Sequence, residues 1–392
     1  MLTRAPTPCA IEEMAAKLAA VLQRQQIKNP VALRCHPELE GFAGLDLPQR
    51  HEGSCWSAKD MALLYRYCGR HDAELRDALG AGHARLLSLV PTRRFDTLLR
   101  DVARSASYCA IAITEPDAGS DIQGLSTIAT PINSGYVLNG IKQHISRISE
   151  CSHFIVFASV QRERIKPLIT AFLIGRDAVG LTTETMSPSG LSSVSWGNVY
   201  LRQVAVPLSS RIGGEGQAIS LFVRHFSYWR TLMAALAIGS AQAAIDQTAV
   251  WMKTRHAFGG PIGRFSHLQQ ALAQWVARLR MTWLLLENVA GQIDSRRSAV
   301  VDAAMLKAEA TEVALGAVEW SMTALGAAGY NKSVGLEKRY RDLAGLRIAD
   351  GTTDVLRGQV ARAFLGERLY ELSLNRSANA ANINDTPSRV FW

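Results

Sequence analysis

Four short stretches combine hydroxyls, charges and turn residues in ways that suit chemistry. Ile113-Thr114-Glu115-Pro116-Asp117-Ala118-Gly119-Ser120-Asp121 puts Thr114 at a strand end before a Pro/Gly turn. Hydroxyls and free backbone N–H groups there suit a polar ring edge or a phosphate, and an ordinary turn accounts for the same residues equally well. Gly135 to Ser146 reads as a hairpin with an Asn139-Gly140 turn and carries Lys142, His144 and Ser146. Arg255-His256-Ala257-Phe258-Gly259-Gly260-Pro261-Ile262 closes a helical pattern with a cation and a Gly/Pro turn, the signature of a C-cap. Ile348-Ala349-Asp350-Gly351-Thr352-Thr353-Asp354 reads as an N-cap followed by an acid in the first helical turn.

The elements that must position these stretches follow from periodicity. From Cys9 to about Ala106 apolar residues recur at helical spacing, with Ser57-x-x-Asp60 as a capping-box start. Between Tyr108 and Pro207 the pattern turns to β-rich runs at Tyr108–Thr114, Gly135–Ile141, His153–Val160, Leu168–Ile174 and Gly197–Pro207, with Asn133-Ser134-Gly135 and Asn139-Gly140 as turns. Long helical patterns return at Ser227–Thr254, Phe265–Ile293, Ala303–Ala328 and Thr353–Leu374. The expected organisation is an N-terminal all-α domain (1–106), a middle β domain (107–215), a C-terminal helical bundle (216–374) and a flexible tail rich in Asn, Ser and Ala (375–392).

The 392 residues are 48% hydrophobic and 20% charged, which excludes a disordered or fibrous chain. The six cysteines form no CxxC pair and no metal-ligand spacing with the nine histidines, so no metal site is expected and reduced thiols are. Glu12, Glu13 and Lys17 interrupt the start where a signal peptide needs apolar residues, and Leu232–Met252 carries Ser240, Gln242, Asp246, Gln247 and Thr248, too polar for hydrocarbon. A cytoplasmic protein without a membrane span is expected. A net charge of +9 favours anionic partners: a phosphate-rich cofactor, an acidic carrier protein or, least of the three because no Lys/Arg block occurs, nucleic acid. No GxGxxG after a strand and no GxxxxGK[ST] is present.

In their order, the stretches resemble the acyl-CoA dehydrogenase family. Ala112–Asp121 is similar to its TEPxxGSD motif, Gly135–Ser146 to GYxLNGxKxxIT, Arg255–Ile262 to RxxFGxPI, and Phe265–Ala273 to FQxxQxxLA. Ala324–Tyr330 is similar to the GGxGY turn, and Glu337–Asp342 with Ile348–Arg362 to the end of the family pattern. The resemblance implies an α+β, mainly α fold: an N-terminal helical domain, a middle β-barrel domain and a C-terminal four-helix bundle, assembled as a homodimer or homotetramer around non-covalent FAD. It implies Thr114 at the flavin pyrimidine edge, and His144 and Ser146 beside the dimethylbenzene and N5 region. Arg255, Phe258, Thr323 and Ala327 would reach a neighbouring subunit's FAD, and Thr352 and Asp354 a flavin phosphate or the adenosine part. Ser120 would lie at the cofactor and the thioester ligand, and Trp229, Arg230 and Gly351 at the substrate.

Several residues depart from the family pattern. His144 stands where an aromatic commonly stacks on the flavin, Thr323 where glutamine is common, and Trp229 where one branch has its catalytic glutamate. Asp350 stands where most of the family has its catalytic glutamate. The implied reaction removes an α-proton from an acyl thioester, on CoA or an acyl carrier protein, while a β-hydride passes to the flavin. Asp350 offers the carboxylate on an arm shorter by about 1.5 Å, and Trp229 suggests a small acyl group. An electron-transfer flavoprotein or O2 is the implied acceptor. A carbon-acid oxidase resembling nitroalkane oxidases, and a non-catalytic flavoprotein, are the alternatives.

Overall fold

The helix expected after Ser57 begins there. The Ser57 hydroxyl accepts the Asp60 backbone N–H at 3.0 Å and donates to the Asp60 carboxylate at 2.7 Å, pairing one of the first turn's orphan donors. In the computed structural model, which describes residues 6–24, 29–160 and 168–366, the N-terminal part holds α1 (Pro8–Arg24), α2 (Ala58–His71), α3 (Arg85–Ser88) and α4 (Asp96–Ala103), joined by 3-10 turns. The tail expected at 375–392 lies outside the described residues.

The middle part is one mixed sheet of β1 (Cys109–Ala112), β2 (Ile128–Ile132), β3 (Gly135–Ser146), β4 (His153–Val160), β5 (Leu168–Gly175), β6 (Leu181–Met186), β7 (Trp196–Pro207) and β8 (Arg211–Ile212). The strand order is β6-β7-β3-β2-β4-β5-β8, with β1 parallel to β4. Its own core contains Tyr136, Leu138, Phe154, Phe172 and Val199. The Asn133-Ser134 turn joins β2 to β3 as expected, Ile132 facing Gly135. Asn139-Gly140 is not a turn, which corrects the hairpin reading of that stretch: both residues lie inside β3, at a register shift against β7. The Asn139 side chain spans the irregularity by accepting the Gln203 backbone N–H at 2.8 Å. A Cβ at Gly140 would stand 2.4 Å from Thr127 Oγ1, so the glycine serves a close approach rather than a reversal. Strands β2, β6 and β8 are additional to the expected runs. β6 is a polar, largely exposed edge, and β2 carries Pro131, placed past the two residues that pair with β4.

The C-terminal part holds α5 (Ala218–Thr254), α6 (Ser266–Asp294), α7 (Val300–Ala324), α8 (Leu336–Ile348) and α9 (Thr353–Leu365). α5 is buried on every side from Phe226 to Ala241 because it runs between the N-terminal helices and the rest of the bundle, which share one core. Its hydroxyls pair within the helix: Thr231 donates to the Ser227 carbonyl and Thr248 to the Ala244 carbonyl, each at 2.8 Å. Among the described residues no helix is long and apolar enough to cross a membrane. At the α6 end, the Asp294 carboxylate accepts the Ala58 backbone N–H at 2.6 Å and so completes the cap of α2.

α2 and α5 cross in backbone contact. A Cβ at Gly239 would lie 1.9 Å from the Arg66 carbonyl oxygen, and one at Gly69 would lie 2.2 Å from that of Leu236. Gly239→Ala therefore has to part the two helices, and a loss of about 3 kcal/mol in urea unfolding is expected. Gly358→Ala in α9, whose Cβ would meet only Arg362 Nη1 at 3.7 Å, is expected to gain up to about 1 kcal/mol from helix propensity.

Candidate active site

Between α8 and α9 the chain turns through Asp350 at φ +62° and Gly351 at φ +102°. A left-handed aspartate needs support from its surroundings. Arg230 Nε on α5 donates to the Asp350 carbonyl at 2.9 Å. Lys307 Nζ on α7 donates to the carbonyls of Gly351 at 2.6 Å and Arg347 at 3.1 Å. Both cations are buried. Burial pushes the Lys307 ammonium down to about 8 and the Arg230 guanidinium down to about 10, while the nearby Asp350 charge opposes both shifts. Trp229 Nε1 donates to Asp350 Oδ2 at 3.0 Å. The cap of α9 is Thr352, whose hydroxyl accepts the Val355 N–H at 3.4 Å, so Asp350 does not serve as the helix cap that the sequence pattern allowed.

Behind this turn lies a buried polar cluster from all three parts of the fold. Asp77, on the 3-10 turn after α2, accepts from Arg147 Nε at 2.5 Å, Arg76 Nε at 3.3 Å and the Tyr108 hydroxyl at 3.3 Å. Burial works against the Asp77 carboxylate, yet the two guanidiniums hold it below its ordinary value. His83 and His225 share a 3.0 Å ring-nitrogen contact. Burial keeps both neutral, His225 at about 3. The Trp229 ring packs against His83 at 4.7 Å, and Arg147 Cζ lies 5.9 Å from the same ring.

The second assembly joins two of the sequence stretches. The Thr114 carbonyl accepts the Gln143 N–H at 2.8 Å, which brings Thr114 against β3 next to the residue preceding His144. A register shift between Lys142 and Ile145 leaves His144 at φ +60°, exposed, with its ring stacked on Trp196 at 4.9 Å. Beneath them Lys142 Nζ reaches Glu115 Oε1 at 2.7 Å and the Ile113 carbonyl at 3.0 Å. Burial opposes ionisation of Glu115, but Lys142 and the hydrogen bonds from Ser126 and Thr127 hold its carboxyl at about 2. The structural role of this pair escapes the motif reading, although a signal exists: Lys142 shares its side of β3 with buried Tyr136 and Leu138, and a lysine facing inward needs a partner.

The remaining candidates are spread out. Ser120 and Asp354 are exposed, and Gly351 belongs to the Asp350 turn. Arg255 is exposed at the end of α5, and Phe258 is 89% exposed at φ +50°. Thr323, its hydroxyl donating to the Glu319 carbonyl, and Ala327 are exposed around the end of α7. Among the described residues Ser120, Asp354, Arg255, Phe258, Thr323 and Ala327 have no hydrogen bond or ring contact with the Asp350 or Thr114 groups. No cluster of three or more His, Cys, Asp or Glu among the described residues could hold a metal. The flat His144–Trp196 stack, with Ser146 paired to Trp196 across the strands and the Thr114 carbonyl bonded to the neighbouring Gln143, suits a planar ring system with a polar edge.

The N- and C-terminal helices share one core, the β sheet packs against it, and a carboxylate turn faces the buried α5. The models of the acyl-CoA dehydrogenase middle domain and C-terminal domain match residues 110–204 and 216–365. The chain is 30% identical over 357 residues to the mouse mitochondrial short-chain specific acyl-CoA dehydrogenase, covering 89% of this chain and 86% of that one. It is 27% identical over 329 residues to an L-prolyl-[peptidyl-carrier protein] dehydrogenase of Serratia, covering 82% and 85%. The solved structure of PigA with FAD and proline superposes with a TM-score of 0.85 at 26% identity, over 94% of this chain and 100% of that one. The chain belongs to the acyl-CoA dehydrogenase family and is an oxidoreductase of that fold.

The Glu115–Lys142 pair generates a test. A carboxyl held at about 2 stabilises the fold above its ordinary titration range near 4.5, and that contribution is lost as pH falls toward 2. Glu115→Gln leaves a buried lysine without its counter-charge, so urea unfolding at pH 7 is expected to show a loss of about 3–5 kcal/mol. The fall in stability between pH 5 and 2 should be shallower in the variant than in the wild type.

Proposed function

We propose that this chain is an FAD-dependent dehydrogenase of a small acyl thioester, with Asp350 as the base that takes the α-proton. The observation that carries this reading is the Asp350 carboxylate itself. It hangs from a turn clamped by two buried cations, Oδ2 accepts one hydrogen bond, and Oδ1 has no hydrogen-bond partner among the described residues. A general base needs such an oxygen, held in place and still open to a proton. Thr114, His144 and Ser146 would hold FAD, with Thr352 and Asp354 as further cofactor contacts, and the bound flavin would supply the acceptor for the β-hydride. Ser120 and Gly351 flank the thioester.

A small acyl group is supported by what fills the space behind Asp350: Trp229, Arg230, Arg147, His83 and His225 are all buried. Relatives named for short-chain and L-prolyl substrates point the same way, and leave CoA and a carrier protein as alternative carriers. An electron-transfer flavoprotein or O2 takes the electrons onward. A homodimer or homotetramer is supported by Arg255, Phe258, Thr323 and Ala327, exposed on this chain and by resemblance completing a neighbour's FAD site, and by Tyr330 at 85% exposure beside them.

The test is anaerobic mixing of the reconstituted, yellow protein with butyryl-CoA, isobutyryl-CoA and an L-prolyl phosphopantetheine thioester. At least one is expected to bleach the flavin, and readmitted O2 or an added electron-transfer flavoprotein then identifies the acceptor. Asp350→Asn keeps an oxygen for the indole N–H but no basicity, so it should retain FAD and thermal stability while flavin reduction slows about a hundredfold or more. Arg255→Glu should lower FAD content and shift the sedimenting species to smaller size together. A wild type that stays colourless when supplied with FAD would overturn the reading.

A further inference from the structure

The hydrogen bond from Trp229 to Asp350 joins residues 121 positions apart, on a buried helix and an interhelical turn. The indole N–H is a donor with no acceptor capacity, and Trp229 is 3% exposed, so in its burial it needs an acceptor. That acceptor is one specific oxygen of the side chain proposed as base. The ring that carries the donor is itself immobilised. Tyr65 meets it edge-on at 6.4 Å, His83 packs at 4.7 Å, His225 lies nearly parallel at 6.4 Å, and the Arg147 guanidinium sits 5.9 Å away. A donor on a fixed ring fixes its acceptor.

We propose that Trp229 is a positioning residue, whose indole N–H holds Asp350 Oδ2 so that Oδ1 is the oxygen presented to the substrate α-carbon. This rests on the reading of Asp350 as the base. The terminal torsion of an aspartate is broad, so an untethered carboxylate samples many orientations and exchanges its two oxygens. Arg230 and Lys307 fix the backbone of the turn without touching this torsion. Trp229 removes the remaining freedom. A short arm thus gains in fixed aim what it lacks in reach, and misplacement of about 1 Å can cost about a hundredfold in rate. A phenylalanine keeps an aromatic ring at this position, smaller than the indole, and offers no donor. A glutamate at 350, longer by about 1.5 Å, overruns the indole N–H and loses the tether.

The experiment compares Trp229→Phe, Asp350→Glu and Asp350→Asn as FAD-loaded proteins, using whichever of the three thioesters above bleaches the wild-type flavin fastest. Trp229→Phe is expected to lower the limiting rate of flavin reduction about tenfold to a hundredfold, with the half-saturating thioester concentration changed less than about twofold and FAD content unchanged. Asp350→Glu is expected to lose a similar factor despite keeping a carboxylate. A second readout needs no turnover. With indole nitrogens labelled in all eight tryptophans, the resonance absent from Trp229→Phe identifies Trp229, and it should move in Asp350→Ala while the other seven stay.

A wild-type limiting rate in Trp229→Phe, or a Trp229 resonance indifferent to Asp350→Ala, overturns the proposal. Should Trp229→Phe fail to fold, wild-type reduction by Asp350→Glu overturns it instead. A slow Asp350→Asn beside an unaffected Trp229→Phe sinks the positioning role alone. An unimpaired Asp350→Asn sinks the base, and this role with it.

Discussion

One buried carboxylate holds the three parts of this fold in register. Asp77 comes from the N-terminal helices, Arg147 from the end of β3, and Arg147 in turn faces the ring of Trp229 on α5. Taking such charges out of water costs several kcal/mol per ion, recovered only when geometry and additional hydrogen bonds are good. Here they are: Asp77 accepts from two guanidiniums and a phenol, and it remains ionised in spite of its burial. Sliding the sheet against the bundle would strip those partners, so the cluster fixes where the β domain ends relative to α5. Arg34, with its Nε and Nη2 unpaired and its guanidinium over the Tyr108 ring at 4.7 Å, adds positive potential to the same region.

From that junction outward, position is passed along by hydrogen bonds to backbone carbonyls. Arg230 and Lys307 direct their donors to the carbonyls of Asp350, Gly351 and Arg347 rather than to carboxylates. Carbonyl acceptors suit a turn in left-handed backbone, whose oxygens no helix or sheet satisfies. Among the described residues the Asp350 carboxylate thus accepts its hydrogen bond from a neutral indole, while the charges of Arg147, Arg230 and Lys307 act on it without a direct ion pair. The same device recurs at Lys142, which bonds the Ile113 carbonyl as well as Glu115 and so fixes the end of β1 that carries Thr114.

Local patterns in the sequence carry much of this architecture. Helical spacing locates α5 and α6 to within a few residues at their shared ends, and Asn133-Ser134-Gly135 marks a true hairpin, because both signals are local. Asn139-Gly140 misleads for the same reason: the dipeptide favours a reversal, but here it runs inside β3 with Thr127 close against the glycine, and the extra residue of the register shift lies on β7. Strand β6 escapes periodicity because its Leu-Thr-Thr-Glu-Thr-Met run is an exposed edge with little apolar alternation. At the site, Asp350 and Trp229 each stand out in the sequence, but as separate departures. Their contact spans most of the bundle in sequence, and no spacing rule reaches that far.

That contact changes how the two substitutions are to be understood. Taken singly, a shorter acid weakens a site and a bulky indole obstructs it. In the folded chain each answers the other. The indole is buried beside the turn and offers its one N–H to the carboxylate of the shorter acid. The left-handed backbone at Asp350 and Gly351 belongs to the same arrangement, because it sets the direction from which the short arm leaves the turn, and Lys307 and Arg230 hold it there. A glutamate restored without removing the indole, or an indole removed without lengthening the acid, therefore breaks a matched pair rather than reverting a single residue, and the two positions are expected to vary together.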